Sequence, residues 1–392
     1  MRHVISRLGL LSIALAGLTT GLATAPVQAQ SSSIQSSSML WGEPLDLQNA
    51  SRMASGSIGA DLITKVQEEN VAWDQTFPGW YMRGEALFLH RDGLRPGTIS
   101  VIDNQTFETL TDDLPVITND DIEPTNFQGG WRAELGRTFG NGLALEGSFF
   151  IIDNWSQRAQ FTSNGLLVTD PVLPGDALSP PSPPPDFAVF PVDDFYQALQ
   201  HTVTYQSDLY SAEMNVKATW RWHNMVRSQL AGVRVLQLRD NFFLVSQDDR
   251  LSTPSNGFGQ YDIRTKNTMI GAQYGEEAMM PILGSATLTV NGKVGLYAND
   301  IEQTRTIVND GVFVVDTLSD KTNLTFVGEI GAHLNIKVTD MLSIRGGYNF
   351  FWLEGLALAP EQYTFEQNQQ QIINDHGGLF LHGFSIGAEL RR

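Results

Sequence analysis

The 392-residue chain contains no cysteine. A disulfide scaffold, a thiol nucleophile and cysteine-ligated metals are therefore excluded. Charge is sparse and one-sided: charged residues make up 17%, and 25 Lys and Arg stand against 43 Asp and Glu, for a formal net charge of −18. Polyanions bind basic surfaces, so nucleic acid is excluded as a partner. Beyond residue 29 no uninterrupted apolar run has the length of a membrane helix, which excludes a helical membrane protein. Disorder of the whole chain is excluded too, because 42% of the residues are hydrophobic and 10% aromatic.

What is present begins with an export signal. Arg2 and Arg7 precede the apolar stretch Leu8–Leu18, and Val27-Gln28-Ala29 supplies a small-residue cleavage pattern. Residues 1–29 read as a secretory signal peptide. Residues 30–76 open on the serine-rich Ser31–Ser38 and read as a linker or pre-barrel segment of low order. Residues 77–392 carry the folded body.

That body has a period of two. In Tyr210–Arg221 one face holds Tyr210, Ala212, Met214, Val216, Ala218 and Trp220, and the other Ser211, Glu213, Asn215, Lys217, Thr219 and Arg221. Ten such segments run over 80–90, 126–138, 143–154, 210–221, 227–239, 261–274, 285–298, 325–338, 342–353 and 379–390. Strands of soluble proteins have about five or six residues, whereas a tilted strand crossing a bilayer needs about nine to eleven. The connections alternate long and short, the short ones at Gly140-Asn141-Gly142, His223-Asn224 and Thr339-Asp340. The long ones hold most of the acidic residues. This is the layout of an all-β, up-and-down antiparallel transmembrane β-barrel of about ten strands (twelve as the alternative), with long external loops and short periplasmic turns. Lipid offers no partner to a free backbone amide, so the first strand must pair with the last.

The aromatic residues Trp80, Tyr81, Phe139, Trp220 and Trp222 at one end, and Phe149, Phe150, Phe351 and Trp352 at the other, read as two interfacial girdles. The polar faces would line the lumen. The candidates are Arg83, Glu85, Arg132, Glu134, Glu213, Lys217, Arg234, Lys293, Glu329, His333, Lys337 and Arg345. With Arg221, Arg264 and Lys266 added, that wall counts as net basic, which predicts mild anion preference in any conducting state.

Several stretches carry a resemblance. Trp80-Tyr81-Met82-Arg83-Gly84-Glu85-Ala86-Leu87, Tyr210-Ser211-Ala212-Glu213-Met214-Asn215, Gly232-Val233-Arg234-Val235-Leu236, Thr265-Lys266-Asn267-Thr268-Met269-Ile270-Gly271-Ala272-Gln273-Tyr274-Gly275 and Phe380-Leu381-His382-Gly383-Phe384-Ser385-Ile386-Gly387 are similar to the planctomycete-type outer-membrane β-barrel porin family over roughly residues 78–390. The resemblance implies location in the cell outer membrane and no catalytic residue or cofactor. Outer-membrane barrels commonly end on an aromatic residue read by the insertion machinery. This chain departs from that, ending Leu390-Arg391-Arg392.

Other motifs have plainer readings. Gly383-Phe384-Ser385-Ile386-Gly387 matches a nucleophile elbow, but it sits in a terminal strand with no histidine after it. The seven histidines show no helical or hairpin ligand spacing, so no metal is expected. The acid pairs Asp112-Asp113, Asp120-Asp121, Asp193-Asp194 and Asp248-Asp249 read as solvated loops, since neighbours in extended chain point apart. Ser179–Pro185 reads as a stiff polyproline spacer. The functional expectation is a narrow passive channel or an envelope structural barrel. The alternatives are an outer-membrane protease or lipase with a loop-rim site, and a secreted soluble β-protein or adhesin. Expected partners are outer-membrane lipid, the barrel-insertion machinery, and divalent cations or surface polysaccharide at the acidic loops.

Overall fold

The computed structural model describes residues 78–102, 114–169, 193–247, 257–365 and 369–392. The signal-peptide and linker readings, the polyproline spacer, and the pairs Asp112-Asp113 and Asp248-Asp249 lie outside them. Among the described residues no helix is long and apolar enough to cross a membrane.

Among the described residues twelve strands form one sheet: β1 (Gly79–Asp92), β2 (Thr98–Ile102), β3 (Leu114–Thr118), β4 (Gln128–Thr138), β5 (Leu143–Thr169), β6 (Tyr196–Trp222), β7 (Met225–Gln247), β8 (Phe258–Leu283), β9 (Ala286–Asn309), β10 (Val312–Lys337), β11 (Leu342–Leu356) and β12 (Gly377–Arg391). Ten of them close into a ring, every neighbour antiparallel, in which β1 pairs with both β4 and β12 and β5 pairs with β6. The two short strands β2 and β3 are not part of the wall. They form a flap on the far end of β5, where Ser100, Val101 and Ile102 pair with Thr169, Val168 and Leu167. The expectation of a ten-stranded up-and-down barrel holds, and the flap accounts for the count of twelve.

The ring is sealed at its lower end by reciprocal backbone bonds between Trp80 and Arg392, 2.8 Å each. Glycines let the seam close. A β-carbon at Gly383 would collide with the Phe88 carbonyl, and one at Gly387 with the Gly84 carbonyl. The apparent nucleophile elbow is thus a closing strand whose glycines admit the neighbouring backbone.

Strand length departs from expectation. Most of the segments read from the sequence lie in the part of the wall with apolar residues outward, including Val216 and Leu334, which are both exposed, whereas 261–274 falls largely above it. Six strands then continue well beyond it: β5 and β6 have 27 residues each, β7 23, β8 26, β9 24 and β10 26. Expected as loops, 155–209 and 240–260 are strand over 155–169, 196–209, 240–247 and 258–260 among the described residues, and 299–324 is a hairpin turning on Asp310-Gly311. Both turn residues have positive φ, 53° and 76°, as a two-residue type I′ turn requires. The expected connection 275–284 is likewise strand to Leu283.

The reason is an inversion of polarity along the strands, clearest on β7. Low on β7 the inward residues include Arg234 and the outward ones Val233 and Val235. Higher up the inward residues are Leu236, Leu238, Phe242 and Leu244, with the buried Asp240 among them, and the outward ones Gln237, Arg239 and Asn241. The lower wall is built for lipid outside and polar groups inside, the upper wall for water outside and an apolar core inside. On β5 a bulge between Ile152 and Trp155, with Asn154 at φ 67°, marks the crossing and shifts the inward set by one residue. Its freed amide donates to Asp208 at 2.8 Å.

Girdle aromatics sort accordingly. Trp80, Phe139, Trp222 and Phe149 are exposed outward, but Tyr81, Phe150 and Phe351 point inward and are buried, a correction to the sequence reading.

Valine at Gly383 should block the seam, at a cost of about 1–3 kcal/mol or more for an overpacked contact. The expected result is loss of the fast-migrating unboiled band on detergent gels, with Gly84→Ala, at an outward position with open space, as the tolerated control.

Candidate functional site

The barrel interior holds two layers. In the lower one, buried cations and carboxylates from all around the ring meet. Arg83 on β1 lies between two strand neighbours, making 2.8 and 2.9 Å bonds to both oxygens of Glu134 on β4 and bonds of 3.0 and 2.8 Å to Glu389 on β12. Glu329 on β10 accepts from Arg132 on β4 at 3.1 Å and from Arg234 on β7 at 3.2 Å, tying non-adjacent strands across the bore. Glu213 takes Lys293 at 2.5 Å and Gln273 at 2.7 Å, with Arg234 at 3.8 Å. Lys217 bonds Glu277 at 2.8 Å and approaches Glu146 at 3.8 Å, and the Tyr81 hydroxyl donates to Glu146 at 2.6 Å. Arg345 Nε stands 2.7 Å from Glu85 Oε1 without the alignment of a hydrogen bond, so this contact is a bare ion pair, and Arg132 flanks Glu85 at 3.8 Å.

Ten of the twelve residues named from the sequence belong to this network. His333 is buried beside it and pairs with Asn349 at 3.2 Å. Lys337 stands at the lower turn, bonded to Asp340 at 2.8 Å. Arg264 and Lys266 are corrections: they lie on the outward, water-side face of the upper wall, bonded to Asp262 and Glu302. Arg221 is exposed at the lower edge. Glu277, beyond the expected end of its strand, joins the interior instead. The cations Arg83, Arg132, Lys217, Arg234, Lys293 and Arg345 thus meet the carboxylates Glu85, Glu134, Glu146, Glu213, Glu277, Glu329 and Glu389. This wall is not net basic, and the basis for an anion preference disappears.

An aromatic pair, Phe150 and Phe351 (centroids 5.7 Å apart), roofs the ionic layer. Arg132 and Arg234 lie 5.5 and 5.4 Å from the Phe150 centroid, so the guanidinium planes meet ring faces where they leave carboxylates. Above this is the upper layer, an apolar core of inward residues such as Ile152, Trp155, Leu238, Phe242, Tyr261 and Ile263.

The β11–β12 connection fills the remaining space. Ala357, Leu358, Ala359 and Phe365 are buried in it. Its backbone is satisfied by inward polar side chains: Asn267 makes both bonds to Ala357 (2.8 and 2.9 Å), Arg305 donates to the Gln362 and Gln369 carbonyls (2.7 and 3.0 Å), and Tyr261 donates to the Thr364 carbonyl at 2.7 Å. Gln362 clips the loop to itself through Leu358 and Asn374. The β1–β4 connection meets it from above, with Tyr363 donating to the Ile99 carbonyl at 3.3 Å. Both connections close the short side of the wall, where β1, β4, β11 and β12 stop early.

The acid pairs that fall within described residues have structural roles. Asp121 accepts from the Thr118 amide at 2.8 Å at the start of a one-turn helix, α1 (Asn119–Ile122). Asp194 accepts the Asp310 amide at 2.8 Å. Ser100 Oγ lies 2.6 Å from His201 Nδ1, a nucleophile–base distance, but Ser100 belongs to the flap itself and both residues are wholly buried. Burial alone drives the His201 ring down to about 3. It stays neutral where an unfolded histidine, at about 6.5, would be protonated.

One cluster was invisible in the sequence. His90 and Asp92 on β1 and His382 on β12 bring three ligand atoms within 4.8 Å of one another on the outer surface. No local spacing signals it, because ring closure alone joins the first and last strands.

A family model described as putative beta barrel porin-7 (BBP7) matches residues 89–382. No protein of curated function matches the chain. Among solved structures it is similar to the outer membrane protease OmpT from Escherichia coli, at 10% identity over 80% of this chain and 97% of that one, TM-score 0.40. It is also similar to a major outer membrane protein from Thermus thermophilus (9%, 80% and 99%, TM-score 0.28) and to the translocator domain of the autotransporter NalP from Neisseria meningitidis (8%, 88% and 98%, TM-score 0.33).

Two outcomes are expected. Glu329→Ala leaves Arg132 and Arg234 short of a carboxylate and should cost about 3–5 kcal/mol, as for a broken buried pair, read from the denaturant midpoint of detergent-solubilised protein. Between about pH 6.5 and 3 the unfolded chain binds a proton that native His201 refuses, so its contribution to stability falls as pH falls. His201→Gln should therefore flatten the midpoint-against-pH curve across that window.

Proposed function

The chain belongs to the putative beta barrel porin-7 family, and from that premise we propose that it is a closed envelope barrel: an outer-membrane structural protein that carries no solute flux at rest and has no enzymatic activity. The observation that carries the reading is the double seal. A passive pore needs a continuous water path lined by groups that can bind and release a solute. Here the membrane-level bore is crossed by direct ion pairs, and the mouth above it is filled by a loop whose backbone the wall itself satisfies.

Strand number points the same way. About eight strands leave room only for side chains, and sixteen to eighteen leave a channel. Ten give a bore that long Arg, Lys and Glu side chains can span. Because those charges pair with one another rather than with water, opening the bore requires rehydrating several ions at once, which makes the closed state stable instead of merely narrow.

What such a barrel presents outward is its upper wall, a tall water-facing sheet bearing Asp300, Glu302, Asp316 and Asp320 on its exposed face. That face is suited to divalent cations or polysaccharide at the cell surface.

Planar-bilayer recording tests the proposal. The intact protein should show no stable conductance steps. Replacing residues 358–375 by a short turn should still leave conductance near baseline, because the ionic layer remains. Combining that deletion with Arg132→Ala, Arg234→Ala and Glu329→Ala should produce discrete openings. A large, stable open state of the intact barrel would refute the reading.

A further inference from the structure

The closing seam carries a set of groups that the closed-barrel reading does not use. His90 on β1 is directly opposite His382 on β12, and Asp92 follows on the same outward face of β1. His90 Nδ1 stands 3.5 Å from Asp92 Oδ1, and His382 Nε2 stands 3.7 Å from Asp92 Oδ2. Donors on a tetrahedral zinc ion, with bonds of about 2.0–2.1 Å, lie roughly 3.3 Å apart along each edge. The two contacts end on different carboxylate oxygens, and one donor atom from each residue lies within 4.8 Å of the others, so side-chain shifts of up to roughly 1.5 Å bring the three onto the edges of one ion.

The surroundings favour a ligand over plain packing. His90 Nδ1 is shielded from solvent and makes no hydrogen bond, a cost the fold bears without return unless something occupies the position. The Tyr348 hydroxyl lies 2.7 Å from His382 Nδ1. When that hydroxyl accepts from Nδ1–H, Nε2 is left unprotonated and facing Asp92, the arrangement that outer partners of metal-bound histidines make. The set lies at the upper margin of the apolar band among aromatic rings: Phe127 is edge-on to both imidazoles at 5.7 and 6.3 Å, and Phe380 is 5.6 Å from His382. Among the described residues the ion contacts of Asp92 are these two imidazoles.

We propose that His90, Asp92 and His382 form a binding site for a late first-row divalent cation such as Zn²⁺, with its fourth position open to water, and that the bound ion staples the first strand of the barrel to the last. Two imidazoles and one carboxylate suit Zn²⁺ and its neighbours, whereas Ca²⁺ and Mg²⁺ require more oxygen ligands. Because a folded seam is needed to assemble the set, binding energy becomes stability of ring closure. The proposal is independent of whether the bore conducts.

Co²⁺ serves as the spectroscopic probe, titrated into full-length, EDTA-stripped barrel in detergent. One equivalent should give the visible d–d absorption of a four- or five-coordinate site, and Zn²⁺ should displace it. Zn²⁺ should raise the temperature at which the fast-migrating unboiled band is lost, while Ca²⁺ and Mg²⁺ should not. His90→Gln, His382→Gln and Asp92→Asn, in half-buried surface positions, should keep the fast-migrating band, weaken Co²⁺ binding at least tenfold and abolish the Zn²⁺ shift. His376→Gln, at an exposed histidine elsewhere, should change neither. A wild-type titration without the band, or a His90→Gln/His382→Gln double variant that still binds Co²⁺ with wild-type affinity, would overturn the proposal. The wild-type titration decides even if a variant fails to assemble.

Discussion

Hydrocarbon cannot hydrogen-bond, and the whole architecture follows from that constraint. A sheet in lipid must close on itself so that no amide is left without a partner. Closure places one face of every strand toward lipid and the other toward a confined interior. The sequence answers with apolar residues outward and ionic residues inward, and the interior is then obliged to neutralise itself, because isolated charges there would be far from water. The ionic layer is a consequence of the lipid outside it.

Buried ion pairs are weak evidence of net stabilisation, since desolvation offsets most of the Coulomb gain. Their effect here is better understood as specificity. Glu329 requires both Arg132 and Arg234, which stand on strands well separated around the ring. Arg83 requires both Glu134 and Glu389, which flank the seam. A slip of one residue in the pairing of any of these strands would turn that strand's own member of the network toward lipid and leave its partners unpaired. The network thereby fixes the register of strands that have no turn in common.

The lower half of this design was legible from sequence because its rule is uniform: alternation, length and turn chemistry together identified ten strands and ten of the interior residues. The upper half was not, because there the rule reverses. Once β5–β10 rise out of the lipid, polar residues such as Arg239 and Glu302 move outward and Leu238 or Ile301 inward. Alternation persists, yet a reader assigning one polarity to each face takes the stretch for loop. The same reversal misplaced Arg264 and Lys266, and the assumption of a girdle misplaced Phe150 and Phe351, which face inward as the lid of the ionic layer. The bulge at Asp153-Asn154 and the pairing of His90 with His382 depend on contacts between distant parts of the chain, and no window along the sequence contains them.

The height of the wall explains the plug. A ring that stopped at the membrane surface would open its ionic layer directly to water, and solvent would compete with every pair in it. Extending six strands upward encloses a second compartment, but only four shorter strands complete the ring, so the compartment is open on one side. Apolar inward residues cannot remain wet, so the β11–β12 connection folds in against them and supplies Leu358 and Phe365. Its own backbone then needs donors and acceptors, which accounts for the otherwise misplaced Asn267, Arg305 and Tyr261 in an apolar core. Those three buried polar groups thus trace back to covering the open side, whereas Arg91, Tyr205, Ser207 and Asp240 form a separate buried cluster that pairs within the wall, and the cover in turn shields the ion pairs beneath.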